Sequence, residues 1–331
     1  MKAKHLLAKA KVLNKSIVFP EAEISDRVLK AVEIILKKKV ARPILLGDEE
    51  KILAKGYKLQ GATIINPKNS ELNKEFAEKL FELRKAKGMT ESDAKKLVKN
   101  PFYFAAMMVY CGYADGTLGG AETSTADSLR PGLQIIKGKE GIKTISSCTM
   151  FIGTDKLKFG ENNVIFFADT SLNIELDASA MADVAVSTVE TAKLLAGIEP
   201  RVAMLSFSTM GSGGTNEELT KIREAVALAK DRLKGVAEVD GEMQLDAALV
   251  ESVGKLKAPK SKVAGRANIL VFPDLTSANI GYKIAERFGR LTAVGQIQQG
   301  FKYPVNDLSR GCHVEDIVLM TAVTCLQAQK V

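Results

Sequence analysis

Three side chains near the C-terminus could do acid–base or nucleophilic chemistry. Ser309, His313 and Asp316 follow one another at intervals of four and three residues, which would place them on one face of an α-helix. A Ser–His–Asp triad is nevertheless disfavoured, because triad residues must converge in a line and neighbours on one helix rarely do so. The better interpretation is an arginine–carboxylate site, in which Arg310 stabilises negative charge and Asp316 or Glu315 takes a proton.

The same stretch, residues 304–316, also has a purely structural interpretation; we call it the C-terminal segment. Gly311 indicates that the helix begins only after Arg310, and acids in a first turn complement the positive end of a helix dipole. The chain has only two histidines, His5 and His313, and His5 lies close to the N-terminus. Base chemistry, where it exists, is therefore more readily assigned to a carboxylate than to an imidazole.

A second stretch, residues 119–131, is rich in small hydroxyl side chains, and we call it the hydroxyl segment. It opens with Gly119 and Gly120, which free the backbone, and it ends with Arg130 shortly before a proline. Its hydroxyl residues are Thr123, Ser124, Thr125 and Ser128. Such a loop entering a helix suits an anion, and an arginine can bind phosphate through two parallel hydrogen bonds. A plain Ser/Thr cap on a surface helix explains the same composition.

A third stretch, residues 206–215, reads SFSTMGSGGT, and we call it the glycine segment. It follows an apolar strand and opens a helix, which is the context of a phosphate-binding loop. It lacks the Lys-Ser/Thr pair of a P-loop, and Asn216 stands where a dinucleotide fingerprint requires Gly or Ala. A connector that packs small residues is an equally good interpretation.

Charge is unevenly distributed along the chain. The formal net charge is +8, and residues 251–310 hold ten Lys/Arg against four acids, a surplus of six. This stretch, the basic stretch, favours an anionic partner, although a solvated basic surface is an alternative. Nucleic acid is disfavoured as a partner, because the chain has no Trp and its few aromatics are not interleaved with the basic residues.

Composition predicts a globular protein of the cytoplasm. The 331 residues suffice for one large or two ordinary domains, and no apolar run is long enough to span a bilayer. The four cysteines form no CxxC pair, so neither a zinc site nor a redox motif is predicted, and no metal is expected. Sparse cysteines suit a reducing compartment, and the N-terminus has no secretory pattern.

Strand-like and helix-like runs alternate from end to end. Strands are predicted at residues 16–20, 43–47, 62–66, 141–146, 164–169, 184–187, 202–206 and 268–272. Helices are predicted at residues 26–39, 71–87, 100–111, 126–137, 216–234, 274–290 and 312–329. The alternation predicts an α/β fold with a mostly parallel sheet and helices on both faces.

The C-terminal, hydroxyl and glycine segments, in their order along the chain, closely resemble those of the phosphate acetyltransferase and phosphate butyryltransferase family. Further similarity lies at Ile17-Val-Phe-Pro-Glu21 with Asp26-Arg27-Val28, and in the run from Ser261 to Lys283. The resemblance extends from about residue 17 to residue 328 and favours the acetyl branch. It implies two three-layer α/β domains with mixed, mostly parallel sheets, similar to isocitrate and isopropylmalate dehydrogenases, and an active-site cleft between them.

The resemblance also implies domain limits and residue roles. Domain I would be residues 1–147 with 297–331, and domain II residues 148–296. Asp316 would deprotonate the coenzyme A thiol, Arg310 would stabilise the charged transition state, and Ser309 would position the thiol or the developing oxyanion. The substrate-binding residues implied for acetyl phosphate and coenzyme A are Arg130, Ser128, Thr125, Arg84, Arg287, Lys283 and Tyr282. His313 is outside the family pattern, and Met210 stands where relatives often carry Lys.

The implied activity is reversible acetyl transfer between acetyl phosphate and coenzyme A by direct attack of the thiolate. Coenzyme A is then a substrate, no cofactor is held covalently, and stimulation by monovalent cations is expected. The implied partners are phosphate, a second copy in a homodimer, and acetate kinase as a metabolic neighbour, without nucleic acid or membrane. A butyryl-specific enzyme or a non-catalytic acyl-phosphate or acyl-coenzyme A sensor is the alternative; a nicotinamide dehydrogenase lacks its motifs.

Overall fold

The computed structural model describes residues 3–154 and 161–330. The chain divides into two compact units. The terminal unit contains Ala3–Lys139 and the chain from Phe301 onwards, and the inserted unit contains Glu140–Gly300. The functional domain limits given above, 147/148 and 296/297, stay a prediction.

The terminal unit is built on a five-stranded sheet in which every described pairing is parallel. The strand order is β11-β4-β1-β2-β3. The strands are β1 (Ser16–Phe19), β2 (Arg42–Leu46), β3 (Thr63–Ile65), β4 (Gly116–Gly119) and β11 (Val305–Asp307). The pairing of β11 with β4 brings the end of the C-terminal segment's strand beside the start of the hydroxyl segment, because Asp307 is opposite Gly119.

The helices of the terminal unit begin at residues that favour helix starts. Ser25 accepts a hydrogen bond from the Val28 N–H, and Asn100 caps a helix that opens with Pro101. The helices are α1 (Ala3–Leu13), α2 (Asp26–Lys38), α3 (Glu49–Leu53), α4 (Asn73–Arg84), α5 (Glu91–Leu97), α6 (Pro101–Tyr110), α7 (Thr125–Pro131) and α13 (Val314–Gln327). A π-helical turn, Gly132–Ile136, continues α7, and α13 packs against α1, α2, β1 and β4.

The inserted unit has a six-stranded mixed sheet in the order β10-β5-β6-β9-β7-β8. The strands are β5 (Ser146–Ile152), β6 (Val164–Ala168), β7 (Arg201–Leu205), β8 (Glu238–Met243), β9 (Ile269–Val271) and β10 (Thr292–Gln299). Strand β5 is antiparallel to both β10 and β6, whereas β6, β9, β7 and β8 are parallel. A row of aromatic rings, Phe151, Phe167 and Phe272, packs in its core.

The helices of the inserted unit are α8 (Ala178–Ala196), α9 (Glu217–Arg232), α10 (Leu245–Leu249), α11 (Glu251–Lys257) and α12 (Leu275–Arg287). Helix α8 contacts α9 and four strands of the sheet. Both units therefore combine parallel strands with packed helices, and the α/β fold class predicted from the sequence is confirmed. No helix in the described ranges is both long and apolar enough to cross a membrane.

Two predicted strands are wrong. Residues 184–187 belong to α8, which is buried around most of its circumference and so lacks the one-sided apolar period of a surface helix. Residues 141–145 precede β5, and only Ser146 of the predicted strand belongs to it. The Lys143 and Thr144 N–H groups donate to the Asp183 carboxylate at 2.9 and 2.8 Å instead of to a neighbouring strand. A local pattern cannot reveal such a long-range acceptor.

Candidate active site

The C-terminal segment forms a tight turn between β11 and α13. The Leu308 N–H donates to the Gly119 carbonyl at 2.7 Å, and the Cys312 N–H donates to the Ser309 carbonyl at 2.9 Å. The Ser309 hydroxyl accepts from the Gly311 N–H at 3.2 Å. Ser309 and Arg310 are exposed, so a backbone-fixed turn presents a hydroxyl and a guanidinium to solvent.

Asp316 lies in the first turn of α13 and is half-buried. Its Oδ2 accepts a hydrogen bond from the His313 backbone N–H at 2.7 Å, which satisfies one of the free donors at a helix start. The contact is with the His313 main chain, and the His313 residue is exposed. The structure thus places Ser309 and Arg310 in one turn and Asp316 in the helix start that follows it. An arginine–carboxylate site at these residues stays a prediction.

Arg27 of α2 ties this turn to the hydroxyl segment. Its Nη1 donates to the carbonyls of Arg310 and Cys312 at 2.9 and 2.8 Å. Its Nη2 donates to the Ala121 carbonyl and to the Glu122 carboxylate, the latter at 2.9 Å. The hydrogen bond with Glu122 raises the pKa of Arg27. One half-buried guanidinium therefore holds two candidate segments that are far apart in sequence.

Arg27→Ala is expected to lower the free energy of unfolding by about 2 kcal/mol, because the carbonyls of Ala121, Arg310 and Cys312 lose a charged donor. It is also expected to reduce activity, since the turn that presents Arg310 loses its anchor. Chemical unfolding followed by circular dichroism measures the stability change. Lys30→Ala, at an exposed position on the same helix, is the control and should change neither stability nor activity. Equal losses in both variants would contradict the anchoring role of Arg27.

Glu21 shapes the start of the hydroxyl segment from the opposite side. Its carboxylate is 1% exposed and accepts the N–H groups of Ala121, Glu122 and Thr123 at 2.7, 3.0 and 2.8 Å. Three backbone donors on one carboxylate fix the loop without help from a ligand. These three amides, which the anion-binding interpretation of the loop would leave free for a ligand, are therefore occupied by a protein carboxylate.

The remaining predicted residues of the hydroxyl segment lie on α7. The Ser124 hydroxyl caps the helix by accepting a hydrogen bond from the Asp127 N–H, so that this donor is satisfied by a side chain and not by an anion. Ser128 is buried, Thr125 is half-buried, and Arg130 is exposed, with its guanidinium 3.1 Å from the Asp127 carboxylate. Arg130 is thus available at the surface but is already paired within its own helix.

Arg84 lies apart from the turn, at the end of α4. It lines a cavity of about 380 Å³ with Lys87, Lys96 and Tyr103. The Arg84 Nε is buried without a hydrogen-bond partner among the described residues. Burial raises the pKa of Tyr103, and the positive charges of Arg130 and Arg84 oppose that effect. Arg84 and Arg130 are therefore both close enough to Tyr103 to affect its pKa.

Three predicted residues belong to α12 of the inserted unit. Tyr282 is half-buried and lies 3.5 Å from the Gln296 side-chain amide, which donates to its hydroxyl. Lys283 donates to Asn279 at 2.7 Å and lies over the Tyr282 ring. Arg287, one turn further on, is 75% exposed and pairs loosely with Glu286. The three side chains form a small polar and cationic group on one helix.

The glycine segment is organised around one buried acid, Glu242. Its carboxylate accepts from the Ser208 hydroxyl and the Gly211 N–H, each at 2.8 Å, and pairs with Arg223 at 2.8 Å. Burial would raise the pKa of Glu242, but these partners prevail and lower it to about 2. Met210, in the left-handed region at φ 48°, is 41% exposed. These contacts support the interpretation of the segment as a packed connector at least as well as its interpretation as a phosphate-binding loop.

Part of the positive charge of the basic stretch is neutralised by acids outside it. Lys262 pairs with Glu238 at 3.3 Å, and Lys257 pairs with Asp246 at 2.9 Å. These pairs are largely exposed, and their individual contribution to stability is small. The surplus of six in sequence therefore overstates the field that the folded surface presents to a ligand.

Covalent catalysis by cysteine is disfavoured by the environment of the thiols. Burial raises the pKa of Cys312 to about 11 and that of Cys325 to about 12, and it raises the pKa of Cys148 further still. A thiol that stays protonated at neutral pH is a poor nucleophile. Within the described ranges, no group of three or more His, Cys, Asp or Glu residues is placed to hold a metal ion.

Comparison with known sequences decides the family. A sequence model described as "Phosphate acetyl/butaryl transferase" matches residues 1–325. The chain belongs to this family. A phosphate acetyltransferase from Thermoanaerobacterium thermosaccharolyticum is 48% identical over 326 residues, which cover 98% of each chain. The family predicted from the sequence is confirmed.

Solved structures support the same family and fold. A phosphotransacetylase from Streptococcus pyogenes superimposes with a TM-score of 0.92 at 41% identity, covering all of both chains. A 4-hydroxythreonine-4-phosphate dehydrogenase from Klebsiella pneumoniae has a TM-score of 0.53 at 13% identity, covering 96% of this chain and 99% of its own. The second likeness shows the fold alone, and it agrees with the dehydrogenase-like architecture predicted for the family.

Local sequence patterns do not predict a role in the site for Glu21, Arg27 or Asp307. Glu21 and Arg27 lie in stretches that carried the family resemblance, and Asp307 lies inside the C-terminal segment. Their positions were therefore visible, but their roles depend on partners about 100 or more residues away, such as Ala121 and Cys312. Pattern and spacing within one segment contain no signal for such contacts.

Proposed function

We propose that this member of the phosphate acetyl/butyryltransferase family catalyses reversible transfer of an acetyl group between acetyl phosphate and coenzyme A. The observation that carries the proposal is the Ser309–Arg310 turn, followed at once by Asp316 and anchored by Arg27. The relatives from Thermoanaerobacterium thermosaccharolyticum and Streptococcus pyogenes are named as a phosphate acetyltransferase and a phosphotransacetylase, which supports the acetyl interpretation and does not favour the butyryl or sensor alternative.

The chemistry begins with the coenzyme A thiol, whose pKa near 8.5 leaves it mostly protonated at neutral pH. Asp316 takes the thiol proton, and the thiolate attacks the acetyl carbonyl carbon. A C–S bond forms, the bond between the acetyl carbon and the phosphate oxygen breaks, and phosphate leaves with the electron pair. Negative charge builds on the carbonyl oxygen in between, and the Arg310 guanidinium stabilises it, with Ser309 positioning the thiol or the oxyanion.

The other residues are assigned as substrate-binding groups. In this proposal Arg130, with Thr125 and Ser128, serves the phosphate side. The remaining group contacts acetyl phosphate or coenzyme A and consists of Arg84, Arg287, Lys283 and Tyr282. The exposed ends of Arg130, Lys283 and Arg287 support this part of the proposal, because an anionic ligand can reach them.

The cellular setting follows from the same resemblance. We propose a cytoplasmic enzyme of acetate metabolism and acetyl-coenzyme A formation, functionally coupled to acetate kinase and stimulated by monovalent cations. We also propose a homodimer. The side chains of Ile280 and Ile284 on α12 and of Phe288, which caps its C-terminal end, are spaced four residues apart and are more than half exposed, which supports a partner surface there.

A thioester assay tests the activity. Purified protein is mixed with coenzyme A and either acetyl phosphate or butyryl phosphate, and thioester absorbance is followed. Turnover is expected with acetyl phosphate in preference to butyryl phosphate. No turnover with either substrate would exclude the enzyme, and faster turnover with butyryl phosphate would assign the chain to the butyryl branch.

Coenzyme A binding is expected to weaken as ionic strength rises, because its phosphates meet exposed cations that salt screens. The measurement is the KM for coenzyme A between low and physiological salt, with a several-fold increase expected. The KM for acetyl phosphate, determined in the same series, shows how much of the effect is general. A KM for coenzyme A that stays constant would mean that the basic stretch is only a solvated surface.

A further inference from the structure

Asp307 differs from the other buried acids in the described ranges. The residue is 1% exposed, and neither carboxylate oxygen accepts a hydrogen bond of normal geometry from the described residues, although the Ser128 and Thr125 hydroxyls face it. The other buried acids all have partners, namely Glu21, Asp169, Asp183 and Glu242. An unpaired buried carboxylate is costly, so a fold retains one where something other than stability requires it.

Asp307 lies where the C-terminal segment meets the hydroxyl segment. It is the last residue of β11, opposite Gly119 of β4, and it lies two residues before Ser309. A Cβ at Gly120 would overlap its Oδ1, and Gly120 has a φ of 94°, so only glycine fits against the carboxylate. The glycine that opens the hydroxyl segment is thus explained by the approach of this acid.

The electrostatic surroundings of Asp307 come from two elements, α7 and the segment that follows β1. The hydroxyls of Ser128 and Thr125 on α7 face it, and Glu21, which follows β1, adds a second negative charge. Burial, assisted by the charge of Glu21, raises the pKa of Asp307 to about 6 against the opposing effect of the two hydroxyls. At neutral pH the group is mostly ionised, and an ionised carboxylate can only accept hydrogen bonds.

We propose that Asp307 is a positioning residue of the acyl-transfer site, whose buried carboxylate holds the Thr125–Ser128 turn of α7 against the Ser309–Arg310 turn. The inference rests on the proposed function. Two carboxylate oxygens can accept from two hydroxyls, whereas an amide in the same place offers only one accepting oxygen. Asp307→Asn therefore keeps the shape of the side chain but cannot keep both hydroxyls in place.

The decisive experiment compares activity and stability in Asp307→Asn. The kcat/KM for acetyl phosphate is expected to fall roughly 10- to 100-fold, as small displacements of positioned groups do. The melting temperature at pH 8 is expected to stay level or rise by a few degrees, because a buried charge is removed. A raised carboxyl pKa means that stability is lost as pH rises through about 6, so this gain should shrink towards pH 5.

Asp183→Asn is the matched control, since this buried carboxylate is fully paired with Arg232 and two backbone N–H groups. It should lower the melting temperature at pH 8. If Asp307→Asn behaves like this control and loses stability together with activity, Asp307 is merely structural and the inference is overturned. Activity within twofold of the wild-type value overturns it as well.

A pH profile gives a readout that a structural role would not change. The wild-type kcat/KM for acetyl phosphate is expected to fall below about pH 6 as Asp307 takes up a proton, and the residual activity of Asp307→Asn should lack this limb. Ser128→Ala removes a neighbour that lowers the pKa, so it should move the limb to higher pH. Identical limbs in all three proteins overturn the inference, whereas absent wild-type turnover refutes the proposed function instead.

Discussion

Asp316→Asn is expected to lower kcat by roughly 10²- to 10⁴-fold, the usual contribution of a positioned general base. The KM for coenzyme A should change little, because the substitution removes proton transfer and leaves the binding contacts. The Asn side-chain oxygen can still accept from the His313 N–H, so α13 keeps its helix start and the fold is retained. Steady-state kinetics with both substrates varied, together with a melting curve, measures these effects.

Two neighbouring substitutions make the assignment specific. Glu315→Gln, at the adjacent exposed acid, should stay close to wild-type activity, and so should His313→Ala, which preserves the backbone N–H that Asp316 accepts. Normal turnover in Asp316→Asn combined with an inactive His313→Ala would show that the base is wrongly assigned. Loss of activity in Glu315→Gln alone would transfer the role to Glu315.

Arg310→Gln is the second substitution with a large expected effect, a loss of roughly 10²- to 10³-fold in kcat. The side chain is exposed, and no acid in the described ranges lies within ion-pair distance of its guanidinium, so the charge is available to the substrate. Its backbone carbonyl is held by Arg27, which fixes the direction in which the side chain leaves the turn. Stability should therefore be preserved while the transition state loses its charged partner.

Arg310→Lys refines this prediction, because lysine keeps the charge but loses the planar fork of donors. Its activity should lie between those of the wild type and Arg310→Gln. Arg42→Gln is the matched control, since Arg42 is also an exposed arginine of the terminal unit and makes only surface contacts with Asn14 and Asp115. Comparable losses in Arg42→Gln and Arg310→Gln would mean that general surface charge, not the turn, sets the rate.

Much of the fold could be predicted from local pattern. Strand β1, helix α2 with its Ser25 cap, and the Pro101 start of α6 follow from residue preferences that act over a few positions. The prediction was wrong for residues 184–187, where a helix buried on most sides has the composition of a strand. The sequence therefore distinguishes a helix from a strand where one face of the element is exposed to solvent. It does not do so where the element is buried on all faces.

The candidate site divides in the same way. Ser309, Arg310 and Asp316 are close in sequence, so their chemical types and the family resemblance identified them directly. The hydroxyl segment suited either an anion or a plain helix cap, and the structure shows that three of its amides donate to Glu21, about 100 residues away. Such an acceptor cannot be inferred from the segment itself, because the sequence of a glycine-containing loop does not indicate which distant group accepts its N–H hydrogen bonds.

By itself the sequence determined the α/β class, the family and the three candidate residues Ser309, Arg310 and Asp316, because each depends on local composition or on a contiguous motif. Only the tertiary structure decided what holds the Ser309–Arg310 turn. The parallel pairing of β11 with β4 sets Asp307 against Gly120, and Arg27 reaches the carbonyls of Arg310 and Cys312 across more than 280 positions. These contacts arise from chain topology, which brings distant backbone donors and acceptors together only when the sheet has formed.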